Sequence, residues 1–173
     1  MFGLKITAVV IAAGMALGCE SGPLDPTSSS DIATQASENA TSLPFRGTIN
    51  ANESFVIAGT NLISSGTADG TAAQLGRFTA TYSPTVDLLT GAATGAFTIT
   101  AANGDQLSGT FTGQGVPAGA GASSITEDMT ITGGTGRFAA ATGTFTVQRI
   151  LTFTGPTTAS STGTFDGDIS LNQ

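Results

Sequence analysis

Two charged residues occupy apolar positions of otherwise alternating segments, and they are the side chains best suited to chemistry. Glu127 shares the parity of Met129, and Arg149 shares that of Val147. Three arrangements fit them: a buried or rim ion pair that fixes strand register, a bulged strand in which Glu127 and Asp128 both reach water, or a carboxylate inside a functional cavity. The pattern leaves all three open.

Most other catalytic side chains are missing. The chain has no His and one Cys, so the commonest general base, the His-activated nucleophiles and the usual zinc ligands are absent. Residues 134–139 have the glycine spacing of a dinucleotide-binding loop, but no helix or correctly spaced acid follows, and the lysine of a P-loop is lacking. We therefore predict no cofactor and no metal.

The N-terminal residues predict export and acylation. A basic start ending at Lys5 precedes an apolar stretch over Ile6–Ala16. That stretch is too short for a transmembrane anchor, which needs roughly twenty residues. Ala16-Leu17-Gly18-Cys19 resembles a bacterial lipobox, whose cysteine is acylated before cleavage. An ordinary secretory signal is the alternative, but it would leave a free thiol in an oxidising compartment. We predict a signal peptide over 1–18 and a palmitate-bearing Cys19 that binds the lipid bilayer.

The residues after Cys19 predict a tether on the cell envelope. Residues 19–42 are rich in Ser, Thr, Ala, Asp and Pro and contain few apolar residues, so they cannot bury enough surface to order themselves. Glu20, rather than Asp, follows the cysteine, which favours the outer membrane under the sorting pattern of enterobacterial lipoproteins. After the signal, four arginines stand against twelve acidic residues, a side-chain balance of −8, which disfavours nucleic acid as a partner.

Residues 43–173 predict one all-β domain. Short alternating runs of Thr, Phe, Ile, Val and Ala are broken by Gly, Asn, Asp or Pro every eight to twelve residues, and no segment has a sustained helical period. Residues 52–59 either extend the first strand or form a loop. We predict eight strands, at residues 44–51, 62–69, 75–83, 92–101, 105–114, 124–132, 143–153 and 162–171.

Parity places the apolar residues of these strands on one face. Eight consecutive antiparallel strands with one apolar face can close into a barrel, which removes exposed sheet edges. A two-sheet sandwich has the same patterning and is the alternative. In the barrel, inward phenylalanines would line a cavity for a small apolar ligand unless their side chains fill it. The expected lining residues are Phe97, Phe111, Phe145, Phe153 and Phe165.

One internal string resembles a known family. Residues 133–138 read Gly-Gly-Thr-Gly-Arg-Phe and are followed by Ala141-Thr142-Gly143. This string is similar to the GGTGxFxxAxG segment of the allene oxide cyclase and dirigent superfamily, and strand spacing extends the resemblance loosely from Phe45 to Leu171. The resemblance implies a closed eight-stranded antiparallel barrel with a central apolar cavity, in which this segment is a structural turn. Bacterial lipoproteins with such domains resemble this chain as a whole.

Turn chemistry predicts the register of two hairpins. A loop over 102–104 with Gly104 left-handed sets Ile99 opposite Leu107 and keeps both apolar faces together. By the same reasoning, the hairpin around 133–143 sets Ile131 opposite Phe145. That register puts Glu127 directly opposite Arg149, so the two exceptional charges meet.

Three functions are compatible with these features. The first is a monomeric, membrane-anchored, non-catalytic barrel that binds a small hydrophobic ligand or has a structural surface role. The second is an isomerase or cyclase like those of the resembled superfamily, in which one carboxylate steers a reactive intermediate. The third is a protein-interaction module that uses the Thr-rich outer face. A charged pair with free space beside it favours the second function, and a filled interior favours the first or third.

Overall fold

The structure is a computed structural model that describes residues 41–171. The predicted signal peptide, Cys19, Glu20 and nearly all of the predicted tether lie outside these residues. No helix in the described range is long and apolar enough to cross a bilayer. The strands are β1 Thr41–Pro44, β2 Gly47–Ala58, β3 Asn61–Ala72, β4 Gly76–Asp87, β5 Ala92–Ala101, β6 Gln106–Gly119, β7 Ala122–Gly134, β8 Thr142–Gly155 and β9 Thr158–Leu171.

Strands β2 to β9 form the predicted closed antiparallel barrel. Each pairs with its neighbour in sequence, and β9 closes the circle by pairing with both β8 and β2. Strand β1 pairs with the C-terminal end of β9, and β2 pairs with the part of β9 that precedes it. The two strands therefore act as one strand with a break at Phe45 and Arg46. Closure leaves no long unpaired edge among β2 to β9, which distinguishes the barrel from the sandwich alternative.

All eight predicted strands are present, and most are longer than predicted. Residues 52–58 extend the first strand through β2 instead of forming a loop. The chain pairs from Thr41 onward, which is two residues before the predicted start of the domain. The 102–104 hairpin is confirmed, because Gly104 has a φ of 90° and Ile99 pairs with Leu107.

The two ends of the barrel differ, and we call them the closed end and the mouth. The closed end carries the connections at residues 73–75, 102–105 and 135–141, and the first described residue, Thr41, is there. The mouth carries the connections at 59–60, 88–91, 120–121 and 156–157. The largest fully buried side chains all lie in the closed half: Phe45, Leu107, Phe138 and Ile169.

Aromatic rings fill the closed half. The ring of Phe145 lies 5.0 Å from that of Phe45, 5.7 Å from that of Phe97 and 5.4 Å from that of Phe165, measured between centroids. Rings at such distances gain attraction beyond the burial of their area. Phe111 belongs to the same buried cluster. Four of the five phenylalanines expected to line a cavity therefore pack into the core.

One loop covers the closed end. Within residues 135–141, a short 3₁₀ helix, Gly136–Phe138, inserts the fully buried Phe138 into the barrel. The Arg137 side chain reaches outward and donates a hydrogen bond to the Gln74 carbonyl, and its backbone N–H donates to Asp105 Oδ2 at 3.4 Å. These bonds join three neighbouring connections. Residues 135–141 of the glycine-rich string form the connection between β7 and β8, while its first and last glycines lie in those two strands.

Candidate functional site

A layer of polar side chains crosses the barrel between the filled closed half and the mouth. It is centred on Arg149, which projects inward from β8 with only 3% of its side chain exposed. We call this group the ionic layer. Its members are Glu53, Ser64, Tyr82, Glu127, Arg149 and Ser161, contributed by β2, β3, β4, β7, β8 and β9.

Arg149 binds Glu127 through two parallel hydrogen bonds. Its Nε donates to Glu127 Oε2 at 3.0 Å, and its Nη2 donates to Glu127 Oε1 at 2.9 Å. The guanidinium fork matches the carboxylate in this geometry, which gives both strength and direction. The two residues that break the apolar pattern therefore meet, as predicted, and the bulged alternative does not occur at Glu127.

The predicted register of this pair is wrong by two residues. Arg149 lies opposite Ile125, and Glu127 lies opposite Val147, so the pair is diagonal and not directly opposed. In the structure β7 runs to Gly134 and β8 begins at Thr142, so the connection between them, which contains the 3₁₀ helix, is shorter than predicted, and Ile131 pairs with Gly143 instead of Phe145. A register shift of two residues keeps every side chain on the same face of the sheet. The side chains of Glu127 and Arg149 are long enough to meet across the diagonal between the two strands.

Glu53 is a third charged member that sequence reasoning missed. Arg149 Nη1 donates a hydrogen bond to Glu53 Oε1 and another to Ser161 Oγ at 2.9 Å. Glu53 lies on the inner face of β2, between the buried Ala51 and Phe55. The alternation Ala51, Glu53, Phe55 was the available signal, and it depended on whether residues 52–59 form a strand.

Two hydroxyl groups complete the layer around Glu53. The Tyr82 hydroxyl donates to Glu53 Oε1 at 2.8 Å, and the Ser64 hydroxyl donates to Glu53 Oε2 at 3.0 Å. A β-carbon at Gly66 would overlap the Tyr82 ring, so this glycine provides the space in which Tyr82 lies. Across residues 41–171, every buried side-chain nitrogen and oxygen has a hydrogen-bond partner.

Burial and charge determine how the layer ionises. Burial in the barrel, together with the negative charge of Glu53, raises the pKa of Tyr82 far above its ordinary value of 10.0, although Arg149 opposes this rise. Burial alone would lower the pKa of Arg149, but the hydrogen bonds and charge of Glu127 and the charge of Glu53 outweigh it and raise that pKa. Tyr82 is thus neutral and Arg149 charged at neutral pH.

A cavity of about 400 Å³ lies on the mouth side of the ionic layer. Glu53, Glu127 and Arg149 form its polar floor. We call it the mouth cavity. Of the five phenylalanines expected to line a cavity, Phe153 lines this one, and it is 46% exposed. The apolar walls are contributed mainly by Phe55, Leu62, Val86, Leu88, Leu89, Ala93, Ile125, Leu151 and Phe153.

Comparison with protein families, curated proteins and solved structures gives no match to this chain. Its function must therefore be inferred from the geometry of the mouth cavity and the ionic layer.

The mouth cavity is suited to two roles, ligand binding and catalysis. Its apolar walls and polar floor suit a molecule with an apolar body and a polar end, which is the usual composition of small-molecule sites. Its floor also places carboxylates beside free space, where they could act on a bound molecule. A second concave surface, an open groove over β2 to β5 and the adjoining ends of β8 and β9, is lined mainly by hydroxyl side chains, including Ser54, Ser65, Thr67, Thr81 and Thr98.

Proposed function

We propose that this chain is an exported, lipid-anchored protein of the bacterial cell envelope whose barrel binds a small hydrophobic molecule without catalysis. The mouth cavity is the observation that carries the proposal. It combines about 400 Å³ of space, mostly apolar walls and a floor of three nearly buried charged side chains. Enclosed apolar space with a few converging polar groups is what small-molecule binding requires.

Exposed apolar side chains near the mouth support the same proposal. Each lies in the mouth half of its strand or in the connection between β4 and β5, and Leu89 at the opening is 79% exposed. The residues are Val56, Ile57, Ile63, Leu88, Leu89, Val116, Ile150 and Phe153. Leu88, Leu89 and Phe153 also line the mouth cavity, whereas the other five lie outside its lining. Exposed apolar residues at an opening favour entry of an apolar molecule over that of a polar one.

An isomerase or cyclase is the second candidate, because free space lies beside the charged residues. Against it, both oxygens of Glu127 accept hydrogen bonds from Arg149, and Glu53 is held by Arg149, Tyr82 and Ser64. A carboxylate held in this way is poorly placed to move a proton on a bound molecule. Binding is therefore the first candidate and catalysis the second.

Blocking the cavity tests the binding proposal. We expect the neutral dye Nile red to fluoresce on binding the full chain, and Ala93→Phe to abolish that signal. Ala93 is buried and lines the mouth cavity, whereas its neighbour Thr94 is exposed on the outer face. Thr94→Phe is therefore the matched control, with circular dichroism showing that both variants fold. Equal dye binding by the two variants would refute a site in the cavity.

Native mass spectrometry separates binding from catalysis. The full chain, purified from its own host, is expected to retain a small apolar molecule. Return of that molecule chemically unchanged after incubation supports a binding protein. Its conversion by the wild type, lost in a folded Glu127→Gln variant, would establish the enzyme candidate instead.

Lipid attachment is tested at Cys19, which is the only cysteine in the chain. A metabolic palmitate analogue is expected to label the wild-type protein in membranes. Cys19→Ala removes the acylated thiol and is expected to abolish both labelling and maturation, and Ser21→Ala serves as the neighbouring control. Label on the Cys19→Ala variant would contradict the lipid anchor.

A further inference from the structure

The charges that line the mouth cavity do not balance. Arg149 is the single cation, and it faces the carboxylates of Glu53 and Glu127. Asp87 adds a third acidic side chain to the lining, where its Oδ1 accepts the backbone N–H groups of Leu89 and Thr90. With its acids ionised, the lining carries three negative charges and one positive charge. Glu53, Glu127 and Arg149 are buried, so water screens the excess of two carboxylates over one cation at the floor weakly, whereas Asp87 is only partly buried.

The hydrogen-bonding capacity of the floor is unbalanced in the same sense. A carboxylate can accept about four hydrogen bonds. Glu127 accepts two, both from Arg149, and Glu53 accepts three, from Arg149, Tyr82 and Ser64. The donors are largely in use, because Arg149 makes four of its five available bonds within the ionic layer. The floor therefore has acceptors to spare and few donors.

We propose that the mouth cavity selects apolar molecules that end in a protonated amine. The apolar body would contact walls such as Leu62, Val86, Ile125 and Leu151, while the ammonium group would donate to Glu127 and Glu53 at the floor. An ammonium group loses its hydration on burial, and carboxylates replace that hydration. A ligand carboxylate would instead meet an excess of negative charge. This inference rests on the proposed binding function.

Three probes with the same apolar body test the selection. They are 1-naphthylmethylamine, 1-naphthalenemethanol and 1-naphthoate, titrated into the full chain by isothermal calorimetry. The amine is expected to bind at least about tenfold more tightly than the alcohol, and the alcohol more tightly than the carboxylate. Equal binding of amine and alcohol, or tighter binding of the carboxylate, would overturn the inference. Binding of none of the three would count against the proposed function itself.

Two matched variants locate the selectivity. Glu127→Gln removes a charge from the floor, and Asp128→Asn removes one from the outer face of the same strand, where Asp128 accepts a hydrogen bond from Thr146. We expect Glu127→Gln to reduce amine affinity about tenfold and alcohol affinity much less, while Asp128→Asn changes neither. Equal losses of amine affinity in both variants would mean that overall charge, and not the cavity, attracts the amine. If Glu127→Gln fails to fold, the ranking of the probes on the wild type still decides.

Discussion

The closed half and the mouth half of this barrel use the same eight strands but fill their interiors differently. The closed half is packed with phenylalanine rings around Phe145. The mouth half has a smaller buried apolar cluster of Phe55, Leu151 and Ala159 and one aromatic pair, Phe55 with Phe153, and there the ionic layer supports an apolar cavity. The two halves therefore serve different purposes. The packed rings of the closed half stabilise the fold and leave no space, whereas the ionic layer forms the floor of the mouth cavity and leaves space on its mouth side. Substitutions in one half, each matched to a control elsewhere, test this division.

Phenylalanine truncations should separate the two halves most clearly. We expect Phe145→Ala to cost about 5 kcal/mol of unfolding free energy, because its ring contacts three others in the core. Phe153→Ala should cost less than about 1 kcal/mol, because that ring is half-exposed and has one aromatic partner, Phe55. Urea denaturation measures both. Similar losses would mean that the mouth contributes to stability as the closed half does.

Removal of the central cation is the next largest effect. Arg149→Met leaves the buried carboxylates of Glu53 and Glu127 without their counter-charge, so we expect a loss of about 4 kcal/mol in urea denaturation. Arg46→Met is the control, since the ion pair of Arg46 with Asp166 is exposed and should be worth about 0 to 1 kcal/mol.

Rescue variants show whether the layer has two or three charged members. Combining Arg149→Met with Glu127→Leu should recover only part of the stability, because Glu53 remains buried without a cation. Adding Glu53→Gln should recover more. Full recovery in the double variant would show that Glu53 contributes little to the layer.

Tyr82 reports directly on the ionic layer, since it is the only tyrosine and the chain has no tryptophan. Its raised pKa predicts that tyrosinate absorbance is absent near pH 10, where an ordinary tyrosine is half ionised, and develops only as the protein unfolds. The folded state disfavours the ionised form of Tyr82. The contribution of Tyr82 to the free energy of unfolding is therefore fully present below pH 10 and is lost as pH rises above it. Reversible ionisation near pH 10 without unfolding would contradict the burial of Tyr82.

Tyr82→Phe tests the same group by removing its hydroxyl. Glu53 loses one hydrogen bond, at a cost of about 2 kcal/mol near neutral pH. The variant should also lose stability less steeply above pH 10, because its ring cannot ionise. Urea denaturation at several pH values measures both effects.

The bonds that cover the closed end should have the smallest effect. Arg137 forms an exposed ion pair with Asp105 at 4.0 Å and bonds the Gln74 carbonyl. We expect Arg137→Ala to cost about 1 kcal/mol or less, and the loss to shrink in high salt. Differential scanning calorimetry at two salt concentrations measures it. A loss as large as that of Arg149→Met would mean that the charges at the closed end stabilise the fold as much as those of the ionic layer.

Alternation in the sequence predicted the strands and faces well but not the level of each residue along the barrel axis. Parity places Phe97 and Phe153 on the inner surface alike, yet one is in the core and the other at the mouth. The height of a residue along the barrel axis depends on how far its strand is offset from its neighbours. The geometry of the connections between strands sets that offset. The connection between β7 and β8 illustrates this, because its 3₁₀ helix shifts the predicted pairing of Glu127 and Arg149 by two residues. The ionic pair was predictable because parity survives such a shift.

The third charge escaped prediction for a different reason. Glu53 follows the inward parity of Ala51 and Phe55, but Asn52 and Ser54 between them are also typical of a loop. Only closure of the barrel brings β2 within reach of Arg149, since Glu53 and Arg149 are 96 residues apart in sequence. A contact formed by closure has no local signal, so its chemistry is visible only in the assembled sheet.

The pairing of Thr41 with Leu171 brings the first and last described residues of the domain side by side. A short peptide could join them and make the domain circular without crossing the mouth. The chain could then be reopened at the hairpin of residues 59–60, giving new ends at the opposite pole. In such a permuted protein a probe fused to the new ends would lie beside the mouth cavity. A probe fused to the unpermuted domain at Thr41 or Leu171 would lie at the closed end, away from any molecule entering the cavity.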